Sequence, residues 1–201
     1  MQPKQLIDPR LLAWAHRAAR RRPGKTALPP LWLFTDTHRL PDPRPAVARL
    51  PRGLGGVVLR HDDDPQRAAL GRDLRRICRA RELVLVVAGD VRLAAALGAG
   101  VHLRGGRWPG PLRRHGVITS SAHDLPDLRR AGAAGASLAF LSPVFPTASH
   151  PGAPALGPLR WSRLARLAPL PTAALGGIQA ARLRRLPNRL CRAVGAIGAL
   201  G

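Results

Sequence analysis

A chain of 201 residues, of which 45% are hydrophobic, is long enough to bury one large core, and its composition excludes a disordered protein. Its two cysteines exclude a disulfide framework, and no apolar run reaches the roughly 20 residues that span a bilayer, so we expect a cytoplasmic protein without a membrane segment. The net charge of +22 raises nucleic acid as a partner.

The distribution of the arginines argues against nucleic-acid binding. Pairs such as Arg75 and Arg76, or Arg129 and Arg130, fall where helices have a solvated face. The chain has no tyrosine and only three phenylalanines that could stack on bases. The same arginine bias, with abundant alanine, glycine and proline, is typical of a GC-rich genome. We keep a basic nucleic-acid-binding protein as an alternative and do not expect nucleic acid as the partner.

The first predicted element is an amphipathic helix at residues 9–22, in which Leu11, Leu12 and Trp14 form an apolar stripe. Pro23 and Gly24 end it. We assign residues 1–26 to this basic helix and its linker, and residues 27–201 to the main domain. The chain ends just beyond the last predicted strand, so the final helix is expected to be truncated and the N-terminal helix to cover that strand.

Short apolar runs then return at regular intervals through the chain. They are LWLFT (31–35), GVVLR (56–60), LVLVV (83–87), GVHL (100–103), GVITS (116–120), SLAFL (137–141), PTAAL (171–175) and AVGAI (193–197). Several are continuously apolar, which is typical of strands buried on both faces of a parallel sheet. Helical patterns lie between most of them, at 66–79, 91–97, 125–130 and 159–167. Eight strands with interposed helices predict a closed (β/α)8 TIM barrel, with an open doubly wound sheet as the alternative.

Polar residues and glycines follow the predicted strands, where a barrel has its functional mouth. They include Arg60, Ser121, Gly176, Gly177 and Gly198. The loops after strands seven and eight are the usual phosphate site of such barrels, and glycine lets backbone N–H groups approach a phosphate without interference from Cβ. Alternatively, these glycines only relieve crowding at the strand ends. On the phosphate interpretation, Gly177→Asp abolishes ligand binding and leaves the fold intact.

The stretch SPVFPTASHPGAPALG, residues 142–157, follows the sixth predicted strand. Its prolines exclude a helix and fix φ, so a stiff loop is expected to reach over the barrel mouth and hold Thr147 and His150 near a ligand. Thr147 and Ser121 could equally bond to local backbone. His102 lies within a strand and is expected to fill the barrel interior.

The segment SPVFPT at 142–147, followed by Gly157, resembles the strand-six signature of the thiamin phosphate synthase and TenI family. The resemblance continues in order through LWLFTD (31–36), LGAGVHL (97–103), SSAHD (120–124) and AALGGI (173–178). It implies a barrel that binds thiazole phosphate or thiamin phosphate. In the synthases the barrel joins thiazole phosphate to aminopyrimidine pyrophosphate, with loss of pyrophosphate, using Mg²⁺. Members of the family are often dimers or larger, so a homo-oligomer is left open.

The departures from the family pattern fall on the metal and pyrophosphate positions. Of the Q-x-R-x-K pattern after strand two, only Arg60 is retained, and Ala88 and Gly89 stand where the synthases have Asn-Asp. Arg107 aligns with the second metal aspartate, and His150 with the lysine after the SPVFPT loop. We therefore assign no metal ligand, although Mg²⁺ is left open as a cofactor. Two arrangements could serve the phosphates instead. One is Mg²⁺ held by Asp90, by residues 62–64 or by substrate oxygens alone, and the other is a clamp of Arg60, Arg104 and Arg107.

The TenI branch resembles the synthase without its metal site, and some members move a proton on the thiazole phosphate with a histidine after strand five. His123, in SSAH, occupies that position and is the candidate catalytic residue, since an imidazole can take a proton and return it without a metal. It could equally be a loop residue bonded to backbone carbonyls. The resemblance thus leaves a TenI-like isomerase or a synthase-like transferase with a rebuilt site, and as an alternative a catalytically silent, regulatory or ligand-binding barrel.

Overall fold

The computed structural model describes residues 7–21, 28–109, 116–147, 152 and 154–200. Its strands are β1 (Leu31–Phe34), β2 (Gly55–Leu59), β3 (Val84–Ala88), β4 (Gly100–Leu103), β5 (Ile118–Ala122), β6 (Leu138–Leu141), β7 (Thr172–Leu175) and β8 (Cys191–Ala196). Its helices are α1 (Pro9–Arg20), α2 (Arg44–Arg49), α3 (Arg67–Ala80), α4 (Val91–Ala96), α5 (Leu125–Ala133), α6 (Gly157–Leu167) and α7 (Ala180–Leu183).

The strands form one closed parallel barrel. Each strand pairs with the next in chain order, and β8 pairs with β1, where Leu31 stands beside Val194. The predicted (β/α)8 TIM barrel is confirmed, and the open-sheet alternative is wrong. All eight predicted strands form within about two residues of their predicted bounds.

The continuously apolar strands are explained by two cores that share them. Along β1, Trp32 and Phe34 point into the barrel, whereas Leu31 and Leu33 pack against the surrounding helices. Inside the barrel, Phe140 meets the rings of Trp32 and Phe34 edge-on, with centroids 5.5 Å and 4.9 Å away. Because both faces of each strand are buried, the sequence shows apolar runs and no alternation.

Helix α1 covers the barrel beside β8, as predicted, and it also packs against α7. Asp8 caps the helix by accepting a hydrogen bond from the Arg10 backbone N–H at 2.8 Å. Leu11, Trp14 and Ala15 are buried on its inner face. Among the described residues, β8 is followed by a turn and by no helix. The predicted boundary between this segment and the barrel, at residues 26–27, lies outside the described residues.

The short helices α2 and α7 were not predicted, because six and four residues show too little periodicity to be recognised. In contrast, α3 and α5 follow clear helical patterns and begin within one residue of the predicted start. No helix in the described part of the chain has both the length and the apolar character needed to cross a bilayer.

Candidate functional site

The carboxyl ends of the strands surround one cavity of about 940 Å³. Seven of the eight candidate residues line it: Arg60, Ser121, His123, Thr147, Gly176, Gly177 and Gly198. The eighth, His150, lies outside the described residues. Barrel closure therefore brings together residues that are widely separated in sequence, at the end of the barrel where such folds have their sites.

The loop after β6 lies against the end of β7. Val144 N–H donates to Leu175 O at 2.9 Å, and Phe145 N–H donates to Gly176 O at 3.2 Å. The returning chain closes the loop where Leu156 N–H donates to Pro143 O at 2.9 Å. These backbone bonds hold the start of the predicted stiff loop over the cavity.

Gly176 and Gly177 are required by this close packing. Their φ angles are +92° and +62°, a region that favours glycine. A Cβ on Gly176 would lie 2.8 Å from Pro143 Cβ, and one on Gly177 would lie 2.4 Å from Pro146 O. The interpretation that these glycines relieve crowding at the strand ends therefore applies to both positions. The expectation that Gly177→Asp leaves the fold intact is wrong, because any side chain there collides with the loop backbone.

Gly198 has a different environment, since a Cβ at this position would have no heavy atom within 4 Å. Within the described residues, no acceptor is bonded to the N–H groups of Gly177 or Gly198, and both residues line the cavity. Two backbone donors are thus available to an anion between the loops after β7 and β8.

Arg182 adds a positive charge on the same side and was missed by the sequence analysis. Its Nη1 donates to Gly177 O at 3.1 Å, and its guanidinium lies 5.6 Å from the centre of the Phe145 ring. It lines the cavity from α7, which was not predicted. Its position only five residues after Gly177 was the signal from which the sequence could have placed Arg182 near the cavity.

His123 is oriented by two hydrogen bonds. Its Nδ1 lies 2.9 Å from Ser142 O, and its backbone N–H donates to Asp127 Oδ2 at 2.9 Å. A carbonyl oxygen can only accept, so Nδ1 carries the proton of the neutral ring and Nε2 keeps a lone pair. No described residue is hydrogen-bonded to Nε2. The side chain is therefore bonded to a backbone carbonyl, as the structural alternative predicted, and still offers a base to the cavity.

Two other histidines near the mouth have structural roles. His102 is buried, with Nδ1 2.8 Å from Thr119 Oγ1, so the prediction that it fills the barrel interior is confirmed. Burial, helped by the charges of Arg60 and Arg104, lowers the pKa of His102 to about 3. Its ring is therefore neutral near pH 7. His61 is equally buried and uses both ring nitrogens in hydrogen bonds within the protein.

The other candidate side chains occupy the walls of the cavity. Ser121 Oγ accepts a hydrogen bond from the Gly105 N–H at 3.1 Å, so Ser121 bonds to backbone, which is one of the two roles considered for it. Thr147 also lines the cavity. Arg60 also lines it, whereas Arg107 is not among the lining residues. The arginines that face the ligand space after β2 and β4 are Arg60 and Arg104.

Asp62 stands at the centre of an arginine cluster. Arg104 Nη2 donates to Asp62 Oδ2 at 2.5 Å, and Arg67 Nη2 lies 3.1 Å from Asp62 Oδ1. Arg67 is nearly buried, with 15% of its side chain exposed, and also donates to Ala88 O at 2.7 Å. A guanidinium thus ties the ends of β2 and β3, and Asp62 has no oxygen without an arginine partner.

Two further carboxylates near the mouth are also engaged. Asp90 caps α4 by accepting from the Leu93 N–H at 2.9 Å. Asp36 accepts from Arg39, and although burial alone would raise its pKa, the bonds and charge of Arg39 lower it to about 2. Among the described residues, no group of three His, Cys, Asp or Glu side chains is placed to hold a metal ion. This donor set does not fit Mg²⁺.

Comparison with known proteins shows the family of this chain. The model of the family described as "Thiamine monophosphate synthase" matches residues 32–200. A thiamine-phosphate synthase of Chromobacterium violaceum is 39% identical over 121 residues, which are 55% of this chain and 58% of that protein. The matched region therefore spans less than two thirds of that relative.

Solved structures of the same fold include a thiamine phosphate pyrophosphorylase from Pyrococcus furiosus, with a TM-score of 0.69 at 23% identity, covering 84% of this chain and 85% of that one. One from Bacteroides thetaiotaomicron has a TM-score of 0.60 at 17% identity, covering 86% and 84%. At these identities they show the fold alone. The family model, however, spans the barrel from the second residue of β1 to the end of β8, and with it every described residue that lines the cavity. This chain belongs to the thiamin phosphate synthase and TenI family.

Proposed function

We propose that this barrel acts in thiamin biosynthesis and binds a thiazole phosphate, with the phosphate between the loops after β7 and β8 and the ring beside His123. The observation that carries the proposal is the hydrogen bond from His123 Nδ1 to Ser142 O, because it directs a basic Nε2 to the ligand. The best-supported reaction is a proton transfer on the thiazole ring, of the TenI type.

The binding half of the proposal rests on the glycine side of the cavity. The N–H groups of Gly177 and Gly198 donate to phosphate oxygens, and the Arg182 guanidinium supplies the opposite charge. Arg182 is already held by Gly177 O, so it loses little side-chain freedom on binding. The phosphate thus fixes the ring in one position relative to His123.

The chemical half requires only one base. His123 Nε2 takes a proton from one ring atom and returns it to another, so the product differs from the substrate in the position of a proton and a double bond. While the ring of His123 is positively charged, Ser142 O accepts a stronger hydrogen bond from Nδ1–H. The backbone bond to Asp127 keeps the loop in place. No step needs a metal ion.

A second candidate is a synthase with a rebuilt site, favoured by Arg60 and Arg104 on the cavity wall. In that reaction they would stabilise the negative charge that develops on a departing pyrophosphate. A barrel that binds the ligand without turnover is the third outcome that the experiment must separate.

The test compares wild type with His123→Asn, whose amide N–H keeps a donor for Ser142 O. Thiazole phosphate binding is measured by calorimetry, and exchange of the ring proton with D₂O by NMR. We expect both proteins to bind, and exchange to fall about 10²- to 10⁴-fold in the variant. The matched control is His16→Gln, which changes an exposed histidine on α1.

Each outcome is decisive for one part of the proposal. Absence of thiazole phosphate binding overturns it. Binding with equal exchange in His123→Asn overturns the role of His123 as base, and binding without exchange in wild type indicates a silent barrel. Formation of thiamin phosphate from thiazole phosphate and aminopyrimidine pyrophosphate would establish the second candidate.

A further inference from the structure

The acidic residues of this chain are confined to one part of its sequence. No aspartate or glutamate occurs in residues 9–35 or in residues 128–201, although both stretches are rich in arginine. Every ion pair that joins two described side chains accordingly lies between residues 36 and 130. The described arginines of the two acid-free stretches, apart from Arg130, therefore form no ion pair with a described carboxylate.

Closure of the barrel makes the two acid-free stretches neighbours. They contain β6, β7, β8 and β1, which are consecutive strands because β8 pairs with β1. Their helices are α6, α7 and α1, and α1 packs on both β8 and α7. This side of the barrel is therefore built from elements without an acidic side chain, apart from Asp8, which caps α1.

The cationic face is our name for the exposed arginines of α1, α6 and α7, together with those of the turns that end α1 and α7. On α1, Arg10 and Arg17 are seven residues apart and so lie on one side of the helix. On α6, Arg160 and Arg163 are three residues apart and are likewise neighbours on the surface. Arg184 follows the end of α7. All five are exposed, and none lines the cavity.

The concentration of like charge on one side of the barrel calls for a physical reason. Like charges repel one another and weaken the fold unless an anion binds among them. A GC-rich genome accounts for arginine in place of lysine, but not for the absence of aspartate and glutamate. In the sequence these arginines belong to separate helices, which argues against a nucleic-acid partner. In the fold the same helices cover consecutive strands.

The other side chains of the cationic face restrict the kind of anion that fits it. A second copy of the chain would bring arginine against arginine. A bilayer surface requires an exposed apolar face, whereas the large apolar residues exposed in the described chain are Leu159 and Leu167 alone. Trp14 and Trp161 are buried, so these helices offer no indole ring on which the bases of a single strand could stack. A duplex requires neither an apolar face nor an aromatic ring.

We propose that the cationic face binds double-stranded nucleic acid through its phosphate backbone. Duplex DNA carries one negative charge per about 1.7 Å of its axis, and a guanidinium group donates paired hydrogen bonds to phosphate oxygens. Binding is independent of base sequence, because contacts to phosphates carry no sequence information. This interaction goes beyond the proposed function, since it uses the outside of the barrel and not the cavity.

The test measures the fluorescence anisotropy of a labelled DNA duplex of mixed sequence during titration with the full chain. With about six phosphate contacts, the logarithm of the affinity should fall against the logarithm of the salt concentration with a slope of about −5. The variant of the cationic face combines Arg17→Gln, Arg163→Gln and Arg184→Gln. It should bind about tenfold or more weakly, because charged hydrogen bonds are lost, and its slope should be shallower by about 3.

The matched control combines Arg72→Gln, Arg79→Gln and Arg92→Gln. It removes the same charge from exposed positions on α3 and α4, beside β2 and β3 on the other side of the barrel. Its affinity should stay within about twofold of wild type, because salt screens charges at that distance. Circular dichroism melting checks that both variants fold. If the first does not, its three single variants decide, since each should lose about one unit of the slope.

Three results would overturn the proposal. They are absence of duplex binding at low salt, equal weakening by the two triple variants, which would mean that binding follows net charge alone, and tighter binding of the single strand than of the duplex. Binding to phosphatidylglycerol vesicles that Leu159→Ser abolishes, without duplex binding, would assign the face to a lipid surface instead. Thiazole phosphate binding should be unchanged in both triple variants, and its absence from wild type would reject the proposed function alone.

Discussion

Replacing Gly198 by aspartate tests the phosphate site without disturbing the barrel. A Cβ at this position meets no heavy atom within 4 Å, so the new side chain has room. The same change at Gly177 would destroy the packing that it is meant to probe, because a Cβ there lies 2.4 Å from Pro146 O. Gly198 is therefore the position from which a negative charge can be introduced beside the bound phosphate.

The magnitude follows from the distance between the two charges. Two unit charges about 4 Å apart interact by about 1 kcal/mol in bulk water and about 4 kcal/mol near a protein surface. The mouth of the cavity is open to solvent, so its environment lies between these limits. We expect the affinity of Gly198→Asp for thiazole phosphate to fall roughly 10- to 100-fold.

The assay is calorimetric titration at two salt concentrations, with Gly198→Asn as the neutral control of equal size. The affinity of the asparagine variant should stay close to wild type, and the gap between the two variants should narrow at high salt because ions screen the repulsion. Thermal melting should show equal stability for all three proteins. Equal thiazole phosphate affinity in Gly198→Asp and Gly198→Asn would refute the placement of the phosphate.

Three further predictions concern stability. Gly177→Ala should lower the free energy of unfolding by about 1–3 kcal/mol, because it combines a positive φ with a backbone collision, whereas Gly198→Ala should stay within about 0.5 kcal/mol in denaturant titrations. Burial lowers the pKa of His102 from 6.5 in the unfolded chain to about 3 in the folded protein, so the unfolded chain binds the proton first as the pH falls. The stability that the neutral, buried ring contributes is therefore complete above pH 6.5 and is lost as the pH falls toward 3. Wild type should therefore lose about 1.4 kcal/mol more per pH unit between pH 6 and 4 than His102→Gln, and equal slopes would contradict the assignment. Trp14→Ala should cost about 3–5 kcal/mol by opening the contact of α1 with the barrel, and Arg17→Ala on the exposed face less than about 0.5 kcal/mol.

The strands could be predicted because burial on both faces leaves a direct record in the sequence. LWLF and VLVVA are apolar at every position, since each residue belongs to one of the two cores. The ends of such runs also located the mouth, because all parallel strands of a barrel finish on one side. Candidate residues such as Arg60 and Gly198 were found from this single geometric rule.

The ion pairs and the crowding could not be predicted in the same way. Asp62 and Arg104 are 42 residues apart and meet only because the barrel places the ends of β2 and β4 on either side of β3. The need for glycine at 177 depends on which carbonyl of the loop after β6 lies above it, and that depends on the hydrogen bonds of Val144 and Phe145. Sequence spacing does not encode contacts of this kind.

The packing of α1 on β8 also has a consequence for synthesis of the chain. Leu11, Trp14 and Ala15 leave the ribosome well before the strand that they cover, because α1 precedes β8 by most of the described chain. At ordinary rates of translation this apolar stripe is exposed for roughly 10 to 30 s before β8 has been synthesised. During that interval Arg10 and Arg17, on the exposed face of the helix, give it the charge that opposes aggregation. Closure of the barrel is thus a late event that joins the two ends of the fold at once.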